Sequence, residues 1–121
     1  MSMMPDPPPG IWQAWSPTIT SSAGTITTVT LNAGKFCRIG RLIKGILDFT
    51  ITTNGTGSGY IIITFPPSIT PAILTAVGCS AATGRAVCGI PSGGSIALFK
   101  YDGTYPGGTG ERIYLDVTIQ I

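Results

Sequence analysis

Apolar and polar residues alternate along most of this chain. In the last stretch Ile113, Leu115, Val117, Ile119 and Ile121 fall on one side, and Arg112, Tyr114, Asp116, Thr118 and Gln120 on the other. A period of two is that of a β-strand with one face buried. Residues 41–52 repeat it, with Ile43, Gly45, Leu47, Phe49 and Ile51 set against Lys44, Asp48, Thr50 and Thr52. Shorter candidate strands are 17–20, 26–31, 35–39, 60–65, 85–90 and 95–101, rich in the Thr, Ile and Val that suit pleated, half-buried positions. Apolar residues nowhere recur at three- and four-residue spacing over a useful length, so no long helix is predicted. Pro71–Val77 is given one helical turn at most.

Turn residues punctuate these stretches. Asn54-Gly55-Thr56-Gly57-Ser58-Gly59 reads as a hairpin joining two strands, and Pro91-Ser92-Gly93-Gly94 as a second before 95–101. Gly40 marks a bulge or tight bend. Two connections, Pro66–Gly84 and Asp102–Gly110, exceed what a tight hairpin needs, and long loops on a rigid scaffold are where binding usually resides. The fold class that follows is all-β, an antiparallel sandwich of jelly-roll type with about eight strands.

The N-terminus departs from this pattern. Pro5, Pro7, Pro8 and Pro9 favour a polyproline-II arm over residues 1–11, which leaves 12–121 as a single β domain. Such an arm can cross to a neighbouring subunit. Trp12 and Trp15 follow at once, and large aromatics at a domain edge either cover a core or anchor an interface, so Pro8, Trp12 and Trp15 are candidate docking residues.

Composition changes the picture in one respect. Only 10% of the 121 residues are charged while 43% are hydrophobic, and a usual domain is about a quarter charged. Subunit contacts would relieve that shortage of solvating groups, which predicts an oligomer. The apolar stretches Leu42–Phe49 and Tyr60–Phe65 are far short of a membrane-spanning helix of about 20 residues, and the first ten residues lack the pattern of a signal peptide. No membrane insertion is expected. Lys35, Arg38, Arg41 and Lys44 form a loose basic cluster, but a pI near 8.6 is below that of a typical nucleic-acid-binding domain, so no nucleic acid is expected as partner.

Candidate chemistry is mostly excluded. With no histidine, the triads that use it as general base cannot form within this chain. The candidate carboxylate pairs, Asp48 with Asp116 and Asp102 with Glu111, read better as surface charges matched by Lys44 or Arg112. Gly55-x-Gly57-x-Gly59 and Gly107-Gly108-Thr109-Gly110 lack the following helix of a phosphate-binding loop. Cys37, Cys79 and Cys88 have no metal-ligand spacing; three buried thiols is the preferred reading, with a Cys79–Cys88 disulfide left open. No catalysis, metal or cofactor is expected. What remains is binding: Tyr101, Asp102, Thr104 and Tyr105 set aromatic faces beside an acid and a hydroxyl, a combination that suits a sugar.

Several segments resemble the C-terminal β-sandwich domains of bacteriophage tail fibres, tailspikes and related virion proteins. They are Trp12-x-x-Trp15-Ser16-Pro17-Thr18-Ile19-Thr20, Gly34-Lys35-Phe36-Cys37-Arg38-Ile39-Gly40-Arg41, Asp48-Phe49-Thr50-Ile51-Thr52, and Gly57-Ser58-Gly59-Tyr60-Ile61-Ile62-Ile63-Thr64-Phe65-Pro66. The resemblance covers roughly residues 12 to 101 and implies a homotrimer at the end of a fibre or spike. It implies as partners other virion proteins and host-surface carbohydrate, with the protein made in the host cytoplasm and built into the virion. Those domains follow a long shaft that these 121 residues do not contain. A capsid-decoration or head-fibre protein on the same fold, with only virion partners, is therefore the alternative.

Overall fold

The computed structural model describes residues 11–65, 73–80, 84–92 and 94–120. The described residues are all-β, with no helix, and hence none long and apolar enough to cross a membrane. The strands are β1 (Gln13–Ala14), β2 (Ile19–Ala23), β3 (Thr28–Ile39), β4 (Leu42–Thr53), β5 (Ser58–Thr64), β6 (Ile73–Ser80), β7 (Ala86–Ser92), β8 (Ser95–Lys100) and β9 (Glu111–Gln120). They form one antiparallel nine-stranded sheet in the order β1-β3-β4-β9-β6-β7-β8-β5-β2, curled into a half-barrel.

The curl follows from where the sheet's two ends lie. Its edge strands, β1 and β2, are consecutive in sequence and separated only by Trp15–Thr18. Four residues reach at most about 13 Å, so the two edges are held close together. Trp15 is bonded to both sides: its backbone N–H donates to the Gly34 carbonyl at 3.0 Å, and its Nε1–H to the Thr64 carbonyl at 3.2 Å. The Thr18 N–H then donates to Thr64 Oγ1 at 2.9 Å. The indole, 1% exposed, fills the inside of the seam.

Two glycines make room for it. A Cβ on Gly45 would lie 2.9 Å from Trp15 Cζ3, and one on Gly34 would lie 2.1 Å from the Trp15 carbonyl oxygen. The inward positions of β4 and β9, namely Ile43, Leu47, Phe49, Ile51, Ile113, Leu115, Val117 and Ile119, meet Ile61, Ile63, Ile96 and Leu98 of β5 and β8 in one buried cluster with Trp15. The alternation read in β4 and in Ile113–Ile119 is thus the inner face of the sheet. Ile121 lies outside the described residues.

Several expectations are corrected. The candidates 26–31 and 35–39 are one strand, β3, whose register shifts between Leu31 and Ala33. That bulge moves the inward set from Val29 and Leu31 to Gly34 and Phe36, so alternation breaks without the strand ending. Much of the expected loop Pro66–Gly84, and the end of the expected helical turn at Pro71–Val77, is strand β6. Hydrogen-bonded to β9 and β7 on either side, β6 carries Leu74 and Ala76 inward and Val77 and Cys79 outward. A strand apolar on both faces shows no period of two. Residues 66–72 and 81–83 lie outside the described set.

Asn54–Gly59 does turn sharply, with Gly55 at φ 62° and Gly59 at φ 84°, but β4 and β5 are not hydrogen-bonded neighbours. The turn sends the chain across the barrel instead of back along β4. β7 and β8 pair as a hairpin, as read, with Ser92 opposite Ser95, and Gly40 at φ 60° makes the tight β3–β4 turn. All three cysteines are free, and only Cys37 is buried. Cys79 pairs with Ala86 and Cys88 with Val77, so these two thiols are diagonal neighbours on the outer face. Diagonal positions lie roughly 7–8 Å apart, beyond the usual span of a disulfide.

Candidate functional site

The loop expected to bind a ligand follows β8, and its residues point in different directions. Tyr101 is 63% exposed. Asp102 closes a local turn, accepting the Thr104 N–H at 3.1 Å and the Thr104 hydroxyl at 2.6 Å, and these bonds hold its carboxyl below the usual range. Tyr105 turns inward, packs on the core cluster and donates its hydroxyl to Asn54 Oδ1 at 2.6 Å. Burial raises its phenol. A Cβ on Gly57 or Gly107 would lie 2.7 or 2.6 Å from the Tyr105 oxygen, so the ring is clasped between the two loops. Tyr101 and Tyr105 therefore do not share a face, and the freely presented groups are Tyr101 and the solvent side of the Asp102–Thr104 turn.

The docking candidates also separate. Trp15 is spent inside the seam. Trp12 is 42% exposed, and the Lys35 ammonium sits 5.1 Å from the centre of its ring. Pro8 lies outside the described residues.

A feature that the sequence reading did not single out lies on the outer face of the sheet. A shallow depression of about 530 Å3 opens across β3, β4, β9 and β6. The pairings set its walls in two rows: Lys35, Ile46, Asp116 and Val77, then Ala33, Asp48, Tyr114 and Cys79. Ile46, Val77 and Tyr114 are 39%, 52% and 42% exposed, and Ala33 and Cys79 are too small to fill the ends of their row. The signal was present as Ile46 and Tyr114, bulky residues at outward positions of alternating strands. Val77 lay in the stretch taken for a loop.

Charges border this depression and are largely matched. Arg112 donates to both oxygens of Asp48, at 2.9 and 2.7 Å, and Asn32 adds a bond at 3.3 Å. The guanidinium bond holds the Asp48 carboxyl below its ordinary range and stabilises the charged form of Arg112. Arg112 also lies 5.1 Å from the centre of the Tyr114 ring and helps fix it. Lys44 donates to Asp116 at 3.1 Å and to Thr118 at 3.1 Å. Lys35 makes no ion pair among the described residues. Glu111 accepts the Ser80 hydroxyl. The described residues hold no group of three or more metal-ligating side chains.

Beyond the depression the outer face changes character. The outward positions of β6, β7, β8 and β5 carry no charge: Thr75, Val77 and Cys79, then Ala86, Cys88 and Ile90, then Ala97 and Phe99, then Tyr60 and Ile62. Val77 and Ile90 are each more than half exposed, and the Tyr60 and Phe99 rings meet at 5.0 Å between centres, tilted by 41°. No family model matches this chain, and no curated protein or solved structure matches it either.

Proposed function

We propose that this chain is a non-catalytic assembly and binding module of a bacteriophage particle. In this reading it is a homotrimer whose curled sheets act as jelly-roll-like sandwiches and which caps a tail fibre or spike, where it meets host-surface glycan. The observation that carries the assembly half is the uncharged outer face of β5–β8, with Val77 and Ile90 more than half exposed in a chain only 10% charged. A large apolar patch on a single chain marks a contact surface. The carboxylates considered for catalysis support the non-enzymatic reading, since each is engaged: Asp48 by Arg112, Asp116 by Lys44, Asp102 by Thr104 and Glu111 by Ser80.

For the glycan contact, Tyr101 with Asp102 and Thr104 is the group left facing solvent, and Tyr105 is the residue that holds their loop down. A capsid-decoration protein with only virion partners is favoured by one observation, the depression over Ile46, Val77 and Tyr114, whose apolar lining suits a protein segment better than a sugar. Solution mass by light scattering tests the assembly half, and a mass near three chains is expected. A monomer at every accessible concentration would sink it. Binding to host cells that is lost on Tyr101→Ala supports the fibre-tip reading, whereas capsid attachment without cell binding supports decoration.

A further inference from the structure

We infer that the outer-face depression is the seat of the proline-rich segment Pro5–Pro9 of a neighbouring copy, so that subunits are tied together by exchanged arms; this rests on the oligomeric reading above. Proline-rich segments keep an extended polyproline-II form that costs little entropy to bind, and they dock on grooves that offer an aromatic ring beside apolar floor. Here Tyr114 is that ring, partly exposed and steadied by Arg112, and Ile46 and Val77 are the apolar floor on either side of Asp116.

Charge fits as well. Asp6 is the one charged side chain among residues 1–10, and Lys35, on the rim, is a cation without an ion pair among the described residues, whereas the two carboxylates of the lining, Asp48 and Asp116, are paired with Arg112 and Lys44. The direction of the chain points to a neighbour as the donor. Gln13 pairs with Phe36 and Ala14 with Lys35, antiparallel, so towards its N-terminus the chain runs past Cys37 towards Ile39 and the Gly40 turn. That heading leads away from the Lys35 and Ala33 rows of its own depression. Pro7-Pro8-Pro9, with each φ fixed, opposes a reversal. Six residues of polyproline-II chain would span about 19 Å, more than the roughly 14 Å from β3 to β6.

The test uses the full chain carrying a photo-crosslinking phenylalanine analogue in place of Pro8, prepared in light and heavy isotopic forms that are mixed and reassembled. Expected are crosslinks from position 8 to peptides containing Val77 or Tyr114, with light-to-heavy pairs present. Val77→Asp should abolish them and raise the concentration at which the oligomer dissociates by tenfold or more. At a dilution where both chains are monomeric, its thermal melting should stay close to the parent's, since Val77 is half exposed. Crosslinks within one isotopic form only would overturn the exchange, as would an oligomer whose position 8 never reaches the depression. The latter leaves the oligomeric reading standing. A full chain that is monomeric at every concentration overturns both.

Discussion

On the inner face of the sheet the chain spends its aliphatic residues on itself, from Ile43 to Ile119, and closes the seam with Trp15. On the outer face, β4 and β9 carry matched charges, whereas β5–β8 carry apolar and hydroxyl groups without charge. The same alternation generates both faces, but a buried partner is visible for only one. Trp15 and Trp12 show the contrast within three residues: the first is 1% exposed and bonded to both edges of the curl, the second 42% exposed beneath Lys35. Inner-face substitutions should therefore cost folding free energy, and outer-face ones association.

Trp15→Ala is the change that should cost most. It empties the seam and removes the side-chain bond to the Thr64 carbonyl, and removal of a buried large aromatic costs about 3–5 kcal/mol. Chemical denaturation should show that loss at an unchanged m-value. Intact stability would mean that the edges are held by β1 and β2 alone. Gly45→Leu attacks the same contact from the other side. A Cβ there already lies 2.9 Å from the indole, so overpacking should cost about 1–3 kcal/mol. In the double variant the penalties should not add, because the smaller residue at 15 frees the space that Leu needs.

Tyr105→Phe tests whether the β8–β9 loop belongs to the inner face or to the binding surface. Loss of the hydroxyl leaves Asn54 Oδ1 without that donor, which should cost about 1 kcal/mol. If the loop serves only ligand contact, melting will not change. Val77→Asp is the outer-face counterpart. At 52% exposure its effect on monomer stability should stay within about 0.5 kcal/mol, while association weakens as described above.

How much of this was legible in the sequence depended on whether a strand had one buried face or two. β4 and β9 could be read residue by residue because solvent and core alternate along them. β6 was invisible for the opposite reason, since Val77 and Cys79 are as apolar as Ala76. β3 was split in two because its bulge reverses the phase at Leu31/Ala33. The turn at Asn54–Gly59 was found, but which strand the chain would meet after it was not, because glycines fix local curvature and not the partner. Of the binding loop, the sequence showed the right residue types. It did not show that Tyr105 would leave the surface, a choice made by Asn54 and by the space above Gly57 and Gly107. The depression was hidden because its walls come from four strands whose order no local signal encodes.

The charged half of the outer face should yield the smallest effect, and one with a definite sign. Asp48 is held in its ionised form chiefly by the Arg112 hydrogen bonds, so its carboxyl in the folded chain titrates below the ordinary value of 3.8. A group whose pKa is depressed by folding stabilises the folded state above its unfolded pKa and loses that contribution as pH falls through the folded value. The Asp48–Arg112 pair should thus contribute fully at neutral pH and fade only below about pH 3.8. Arg112 is 47% exposed, so solvent screening keeps the contribution under about 1 kcal/mol. Asp48→Asn should lower stability by that small amount at pH 7, and the difference from the parent should shrink as pH falls below about 3.8. A gap that does not shrink as the pH is lowered below that value would show that Asp48 acts through its bonds to Asn32 and the packing of Tyr114, and not through its charge.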